Sequence, residues 1–177
     1  MIIETIELNV TISKKDRIAL IIIDLQNDFI CGNLATKNSS SKQDAVEIIP
    51  KINSLLLYSD FFKRIVITKD WHPKNHISFH SNRHIYSSFN GGRFNKIKIE
   101  KAKLFDCATL KFPETTTFSS ILWPDHCIQN SYGAELHKDL NTNYPHTIIH
   151  KGSNPKSDSY SAFWDNNGEN DTGLNNL

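Results

Sequence analysis

Metal-type donors cluster just after a strongly apolar stretch in the middle of the sequence. Asp70, His72 and His76 follow the β-branched run of residues 65–68, which is typical of a buried strand. In open α/β sheets, ligands gather just beyond the carboxyl ends of the strands. An Asp-x-His pair at such an end can offer a carboxylate oxygen and an imidazole nitrogen to one divalent ion. The alternative is a loop with two surface histidines, because short ligand pairs are common by chance.

His126 supplies a candidate third donor. It follows a Trp-Pro corner at residues 123–124, where a histidine without other donors is more often a packing residue. Together with Asp70 and His72 it gives one carboxylate and two imidazoles, with positions left open for water or substrate. The adjacent Cys127 has apolar neighbours and no separate base beside it. This context favours a buried, inert thiol over a ligand or a nucleophile.

Two more charged residues stand at predicted strand ends. Asp24 ends the apolar run of residues 18–23. It either caps a loop or pairs with a lysine, or it is a general base whose pKa is tuned by burial and a neighbouring charge. Lys151 ends the run of residues 146–151. It is either a surface lysine or a group that anchors a catalytic acid and stabilises developing negative charge.

These residues require an α/β arrangement to bring them together. Strands are expected near residues 18–23, 64–69 and 146–151. A right-handed crossover sets the first two strands side by side in a parallel sheet, so that Asp24 and Asp70 lie on the same rim. The uniformly apolar first run predicts a central strand that is covered on both faces.

The remaining segments carry weaker signals. A helix between the first two strands begins at a capping box formed by Asp44 and Glu47, or at Pro50, which suits a first turn. Residues 80–120 are predicted to form a long irregular excursion. Shorter features are expected as a hairpin from residues 96–99 to Leu104, a helical segment at 134–140 and the first turn of a helix at 171–174.

The composition indicates a globular protein without strong charge attraction to a partner. The 177 residues fit one domain, with residues 1–16 as an N-terminal extension. With 20 basic and 19 acidic residues, the net charge is +1, so no field draws the chain to nucleic acid or to an anionic membrane. No apolar run approaches the roughly 18 residues that span a bilayer, and the N-terminus is not a signal peptide. Three cysteines without framework spacing favour a reducing compartment, and a cytoplasmic location is expected.

Four segments, in order, resemble the nicotinamidase branch of the isochorismatase-like cysteine hydrolases. They are IIIDLQNDF in the 18–29 region, KDWHPKNHISF at 69–79, LWPDHC at 122–127 and HKGSNPKSDSYSAF at 150–163. The resemblance implies a three-layer α/β/α fold and the hydrolysis of nicotinamide to nicotinate and ammonia in NAD salvage. It further implies a Cys–Asp–Lys triad, one divalent metal (zinc, or else iron or manganese) and, in the full-length form, a homo-oligomer.

The resemblance also implies roles for individual residues, carried over by position. Asp24 and Lys151 correspond to the acid and the lysine of the triad. The implied metal ligands are Asp70, His72 and His126, with His76 beside them. The implied aromatic walls of the substrate pocket are Phe29, Trp123 and Tyr160.

One part of the family pattern is missing from these residues. The family's nucleophilic cysteine lies on a later strand, in a segment like G-x-A-T-D-x-C-V, and none of Cys31, Cys107 or Cys127 stands in that context. Residues 1–177 are therefore expected to be an incomplete domain without the nucleophile and its oxyanion hole. Two alternatives to the amidohydrolase stay open. One is an inactive metal- and ligand-binding pseudoenzyme or fragment, and the other is a hydrolase that uses metal-bound water.

Overall fold

The structure is a computed structural model that describes residues 18–88, 101–112 and 116–177. The strands predicted near residues 18–23, 64–69 and 146–151 are confirmed, and the proposed extension at 1–16 lies outside the described residues. The strands and helices, in chain order, are β1 (Ala19–Ile23), α1 (Asn27–Ile30), α2 (Ile48–Leu56), β2 (Arg64–Asp70), β3 (Cys107–Phe112), β4 (Thr116–Ile121) and β5 (Thr147–Lys151).

A parallel sheet of β1, β2 and β5 positions the charged strand ends. Its register pairs Ile23 with Thr68, and Asp70 with Lys151. Asp24 follows β1 directly, and its backbone amide donates a hydrogen bond of 3.2 Å to the carbonyl of Thr68. Because the carboxyl ends of parallel strands meet at one edge of a sheet, Asp24, Asp70 and Lys151 come together there. The predicted closeness of the two acids is confirmed.

Among the described residues β2 is the central strand, and β1 lies at an edge of the sheet. The central position predicted for the run at 18–23 concerns the complete sheet, of which residues 1–177 are expected to form only a part, so the described residues do not test it. In β1, Ile21 and Ile23 are 38% and 61% exposed, whereas Ile22 on the opposite face is buried. In β2, consecutive residues are buried on both faces. An apolar run reports hydrophobicity, but the chain crossings decide which strand has a neighbour on each edge. The run by itself therefore cannot assign the central place.

Helix α2 packs on one face of the sheet. A single 3-10 turn (Ala45–Glu47) precedes it, and the carboxylate of Asp44 accepts a hydrogen bond from the amide of Val46. Pro50 lies in the first turn of α2, where its missing N–H breaks no helical hydrogen bond. Ile49 and Leu56 bury their side chains in a core with Ile22, Leu25, Ile30, Ile65, Ile67 and Leu140.

The predicted irregular excursion at 80–120 contains regular structure. Residues 80–88 form 3-10 turns, and β3 pairs with β4 as an antiparallel hairpin from Cys107–Ile121 to Phe112–Thr116. The hairpin was predicted elsewhere: Leu104 lies in a turn, and residues 96–99 lie outside the described residues. Apolar and polar residues alternate over residues 108–112, and β4 contains threonine, phenylalanine and isoleucine, which favours strands, but the lysines and the proline nearby obscure this pattern in the sequence.

The segment at 135–140 is not helical, which corrects a second prediction. A 3-10 turn (Tyr132–Ala134) ends there, and the chain then runs antiparallel to residues 25–27. The amide of Asn27 donates to the carbonyl of Glu135 at 2.9 Å, and the amide of His137 donates to that of Leu25 at 2.8 Å. These non-local hydrogen bonds replace the helical ones.

Near the C-terminus, a single 3-10 turn covers Leu174–Asn176. It overlaps the helical turn expected at 171–174 only at Leu174, because Asp171 instead forms an antiparallel bridge with Trp164. No helix in the described parts of the chain has the length and apolarity needed to cross a membrane.

Candidate active site

A buried ammonium joins the two acids at the sheet edge. Lys151 is 5% exposed, and its Nζ lies 2.9 Å from Oδ2 of Asp24 and contacts Oδ1 of Asp70. It also donates to the carbonyl of Ser159 at 3.1 Å. Burial by itself would lower the pKa of Lys151, but the charges of Asp70 and Asp24 outweigh burial and raise it. The ammonium is therefore charged, and both acids depend on it for a counter-ion.

Asp70 connects this ion pair to the histidine cluster. One carboxylate oxygen, Oδ1, faces Lys151, while Oδ2 lies 3.5 Å from Nε2 of His72 and 3.8 Å from Nε2 of His126. Burial would raise the pKa of Asp70, but the hydrogen bond from His72 and the charge of Lys151 hold it well below its usual range. Asp70 therefore stays ionised and divides its two oxygens between the ammonium and the imidazoles.

Asp24 is held in a special conformation at the strand exit. Its φ of 51° is in the left-handed region, and its Oδ1 accepts a hydrogen bond of 2.7 Å from the hydroxyl of Thr68. Burial raises the pKa of Asp24, and Lys151 only partly offsets that effect while the charge of Asp70 adds to it. A carboxyl whose pKa is raised in a cleft is typical of a group that transfers protons.

The hydrogen bonds of His72 and His126 leave one nitrogen of each ring available. Nδ1 of His72 donates to the carbonyl of Gly152 at 2.9 Å, and Nδ1 of His126 donates to that of Pro124 at 2.8 Å. A carbonyl can only accept, so both rings carry a proton on Nδ1 and point Nε2 towards Asp70. Burial would lower the pKa of His72, but its hydrogen bond with Asp70 and the charge of Asp70 raise it, so Nε2 of His72 also holds a proton, which a metal ion would displace. Burial, followed by the charge of His72, lowers the pKa of His126 to about 4, so this imidazole is neutral at physiological pH.

The three groups predicted as ligands fit a divalent metal ion. Ligand atoms of Asp70, His72 and His126 all lie within 4.8 Å of one another, and all three residues are buried. Zinc binds nitrogen and oxygen at about 2.0–2.2 Å, so tetrahedral geometry places neighbouring donors about 3.4 Å apart. The 3.5 and 3.8 Å separations from Oδ2 of Asp70 agree with that spacing. Each imidazole is also oriented by a carbonyl, as metal-binding histidines usually are.

The fourth donor, His76, lies beside His72. Their ring centroids are 4.1 Å apart, and Nδ1 of His76 lies 2.7 Å from the hydroxyl of Ser78. Burial, followed by the charge of His72, lowers the pKa of His76 to about 3. One possible ligand atom from each of His72, His76 and Asp158 lies within 4.8 Å of the other two. The structure thus adds Asp158, an acid that sequence reasoning did not single out, although it lies in the matched segment at 150–163.

One cavity of about 450 Å³ opens onto these groups. Phe29, Trp123 and Tyr160, which were predicted as aromatic walls, all line it. The indole N–H of Trp123 donates to the hydroxyl of Tyr160 at 3.3 Å, and the ring of Phe29 lies 5.7 Å from that of His126. The charged and donor residues that also line it are Asp24, Asp70, His126, Lys151 and Asp158.

A larger cavity of about 600 Å³ lies elsewhere and does not share these residues. It is lined by residues 59–65 and 145–147, at the amino ends of β2 and β5. Chemistry in parallel sheets gathers at the carboxyl ends, and none of the predicted site residues lines this larger space. We therefore place the site in the smaller cavity.

The cysteines do not contribute a thiol to the cavity. Cys127 is fully buried, and its Sγ lies 3.8 Å from the carbonyl of Gly133. Burial raises the pKa of Cys127 well above its ordinary value, so the prediction of an inert thiol agrees with the structure. Cys31 and Cys107 are exposed, and neither lines the cavity.

Two supporting features were missed in the sequence. The carboxylate of Asp28 accepts hydrogen bonds from the amides of Cys127 at 2.7 Å and Asn33 at 3.2 Å, which fixes the backbone next to His126. Gly133 leaves room for that carboxylate, because a Cβ there would lie 1.9 Å from Oδ2 of Asp28. Asp28 in the NDF stretch was a visible acid, but its contacts with Cys127 and Gly133 link positions about a hundred residues apart along the chain.

Gly152 is the second such feature. It has a φ of +66°, and a Cβ at this position would lie 2.3 Å from the ring of His72. Glycine is therefore required both by the backbone conformation and by the close approach of the imidazole. The glycine that follows Lys151 in the sequence could have indicated a tight turn, but only the structure shows what it makes room for.

Comparisons with known proteins identify relatives of the chain. It is 36% identical to the nicotinamidase of Acinetobacter baylyi over 168 residues, which cover 94% of this chain and 64% of that protein. The solved yeast nicotinamidase matches at a TM-score of 0.69 and 31% identity, covering 89% of this chain and 67% of the yeast chain. The pyrazinamidase of Pyrococcus horikoshii, solved in complex with zinc, matches at a TM-score of 0.54 and 29% identity, covering 84% and 59%.

The chain thus spans less than two thirds of the length of the Acinetobacter relative. No family model matches it.

Proposed function

Because the chain belongs to the nicotinamidase family of isochorismatase-like hydrolases, we propose that it forms the acid- and metal-bearing part of an amidohydrolase that converts nicotinamide to nicotinate and ammonia. The observation that carries the proposal is the position of Lys151 between Asp24 and Asp70, with the free oxygen of Asp70 turned towards two imidazoles. The three residues of the ion pair, the donor His126 and the three aromatic side chains line a single cavity.

The cavity suits a small planar amide. A volume of about 450 Å³ is within the usual range for small-molecule sites, and nicotinamide is among the smaller ligands that such sites take. Phe29, Trp123 and Tyr160 provide faces and edges against which a pyridine ring can pack. Asp24, Asp70 and Lys151 line the same cavity and offer charged partners for a polar group of the bound ligand.

Asp24 and Lys151 have complementary tasks in this proposal. The raised pKa of Asp24 equips it to take a proton from an attacking nucleophile and return it to the leaving ammonia. The ammonium of Lys151 fixes the orientation of Asp24 and stabilises negative charge that develops beside it. Asp70, His72 and His126 would hold a divalent metal, and zinc is the ion named with the Pyrococcus relative. Once bound, such an ion supplies a Lewis acid for a donor atom of the substrate.

Ammonia release tests this function. With zinc supplied, nicotinamide is incubated with residues 1–177 and with any longer product of the same coding sequence. In an active form, Asp24→Asn should abolish ammonia release and leave the bound zinc unchanged, because Asn keeps the shape of Asp24 but cannot accept the proton. Ammonia release at an undiminished rate by this variant contradicts the role given to Asp24.

A second candidate is a module that binds the ligand without hydrolysing it. The favouring observation is that no thiol of the described residues lines the cavity. Calorimetric titration with nicotinamide distinguishes the two: binding that weakens in Trp123→Ala, without ammonia release by residues 1–177 or by any longer product of the coding sequence, favours the binding module. A cytoplasmic location, a role in NAD salvage and homo-oligomer formation remain predictions.

A further inference from the structure

Phe105 is a fourth aromatic residue at the cavity, beside the three that were predicted as its walls. It lines the same space as Phe29, Trp123 and Tyr160, and it lies in a turn just before β3. Its side chain is 57% exposed. A phenylalanine ring is stabilised mainly by burial, so this exposure leaves a large apolar surface in contact with water.

The backbone of Phe105 adopts a conformation that phenylalanine rarely takes. Its φ is 70°, in the left-handed region, where the Cβ of an L-residue comes too close to the backbone. Glycine adopts this conformation without that cost, and asparagine and aspartate adopt it more often than bulky residues do. The surrounding structure therefore has to impose it on Phe105.

Backbone hydrogen bonds on both sides of Phe105 impose the conformation. The amide of Phe105 donates to the carbonyl of Leu122 at 2.8 Å, and the amide of Leu122 donates to the carbonyl of Asp106 at 2.9 Å. The carboxylate of Asp106 also accepts a hydrogen bond of 2.8 Å from the amide of Lys103. Leu122 is fully buried, so the turn is anchored in the interior. The fold thus holds the turn firmly while more than half of the phenylalanine side chain faces solvent.

The ring of Phe105 extends the aromatic wall from Trp123 towards solvent. The two rings meet edge to face, with centroids 5.9 Å apart and planes at 82°. Trp123 is itself oriented by the hydrogen bond from its indole N–H to the hydroxyl of Tyr160. Phe29, by contrast, packs against the donor His126. Since Trp123 is half-buried and Phe105 is mostly exposed, Phe105 lies at the mouth of the cavity.

We propose that Phe105 is a specificity-determining residue, which packs against the part of an aromatic amide that extends beyond its first ring. In the proposed function the amide meets the charged residues of the cavity, so the opposite edge of the ring is directed towards the mouth. A fused second ring at that edge covers Phe105 and buries its free surface. The site therefore favours bicyclic aromatic carboxamides over nicotinamide. This inference rests on the proposed function for the orientation of the amide, but it needs binding only and not hydrolysis.

Calorimetric titration with two amides tests the proposal, with residues 1–177 and zinc supplied. Wild type should bind quinoline-3-carboxamide more tightly than nicotinamide. Phe105→Ala should weaken binding of the bicyclic amide about 10-fold, as expected for the loss of one aromatic contact, and binding of nicotinamide less than about 2-fold. Phe105→Tyr keeps the ring and should bind both amides like wild type. Leu104→Ala is the matched control, because Leu104 is also exposed in the same turn but does not line the cavity; it should change neither affinity.

Phe105→Gly separates the ring from the strained backbone. It should show the same loss of selectivity as Phe105→Ala but a higher free energy of unfolding, because glycine adopts the left-handed conformation freely. It also replaces the alanine variant if that variant does not fold. Equal loss of affinity for both amides on removal of the ring, or a wild type that does not prefer the bicyclic amide, overturns the proposal. A preserved preference without any ammonia release would leave the role of Phe105 in place and remove the proposed hydrolysis instead.

Discussion

Lys151→Met should sharply destabilise the fold, because it removes the ammonium that Asp24 and Asp70 share. Methionine keeps most of the length and the apolar stem of lysine, so the substitution mainly deletes the charge. The two carboxylates would then face each other in a buried position, where Asp24 and Asp70 have side-chain exposures of only 16% and 9%. The metal must be kept out with a chelator, because an ion on Asp70 would replace part of the missing charge.

The expected loss is large compared with the stability of a domain. At an effective dielectric constant of about 20, two unit charges 2.9 Å apart attract by roughly 6 kcal/mol. Much of that attraction offsets the desolvation of the charges. Removing one partner of a buried pair typically costs about 3–5 kcal/mol, which we expect here. Since domains are stable by about 5–15 kcal/mol, such a loss brings the chain close to unfolding.

Urea denaturation followed by circular dichroism measures this loss as a change in the free energy of unfolding. Lys138→Met is the matched control. Lys138 also forms an ion pair, with Asp139 at 2.7 Å, but its side chain is 82% exposed, and its removal should have no measurable effect. The double variant Lys151→Met/Asp24→Asn should recover part of the loss, because one of the unpaired carboxylates is then neutral.

The pH dependence has a defined sign. In wild type the pKa of Asp70 is held below its usual range, so its stabilisation is present at neutral pH and is lost as the pH falls through that lowered value. In Lys151→Met the carboxyls bind protons at higher pH, which relieves their repulsion. The difference between wild type and variant should therefore shrink on acidification. A loss at neutral pH as small as that of Lys138→Met, or one that grows on acidification, would refute the reasoning.

Three further predictions concern the thiols, the glycine beside Asp28 and the activity. In the native protein, Cys31 and Cys107 should react with a thiol reagent within minutes, while Cys127 should react only after unfolding; rapid labelling of all three contradicts the buried thiol. Gly133→Ala should lower the free energy of unfolding by about 1–3 kcal/mol, since its Cβ displaces the carboxylate of Asp28; an unchanged denaturation midpoint would mean that the turn adapts freely. Residues 1–177 with zinc should release ammonia from nicotinamide several powers of ten more slowly than an intact family member, on the order expected when a nucleophile is absent; release at ordinary enzyme rates that survives replacement of every cysteine by serine would show that the chemistry is misassigned.

The sequence by itself determined the three strand ends and their charges. Each apolar run near residues 18–23, 64–69 and 146–151 is short and ends in an ionisable residue, and parallel strands necessarily share their carboxyl edge. Asp24, Asp70 and Lys151 could therefore be placed together without coordinates. Asp-x-His at residues 70–72 likewise predicted a donor pair, because the second donor follows the strand by only two positions.

Only the tertiary structure decided which partners the charged groups at the strand ends contact. That Asp70 gives one oxygen to Lys151 and the other to the imidazoles depends on side-chain orientation at the strand end. The central place of β2 and the antiparallel course of residues 135–140 depend on neighbours far away in the chain. Local patterns report burial and periodicity, but they carry no information about which distant backbone groups will satisfy a segment's hydrogen bonds.

Asp158 is a residue of the site whose role local sequence patterns could not indicate. In the sequence it is one acid in a polar loop, with no periodicity to mark it. It becomes a candidate ligand because the chain turns back at Gly152, whose missing Cβ leaves space for the ring of His72. The types of the donor residues could therefore be identified in the sequence. Their arrangement in space could not, because contacts between residues some eighty positions apart form only when the sheet and its loops are folded.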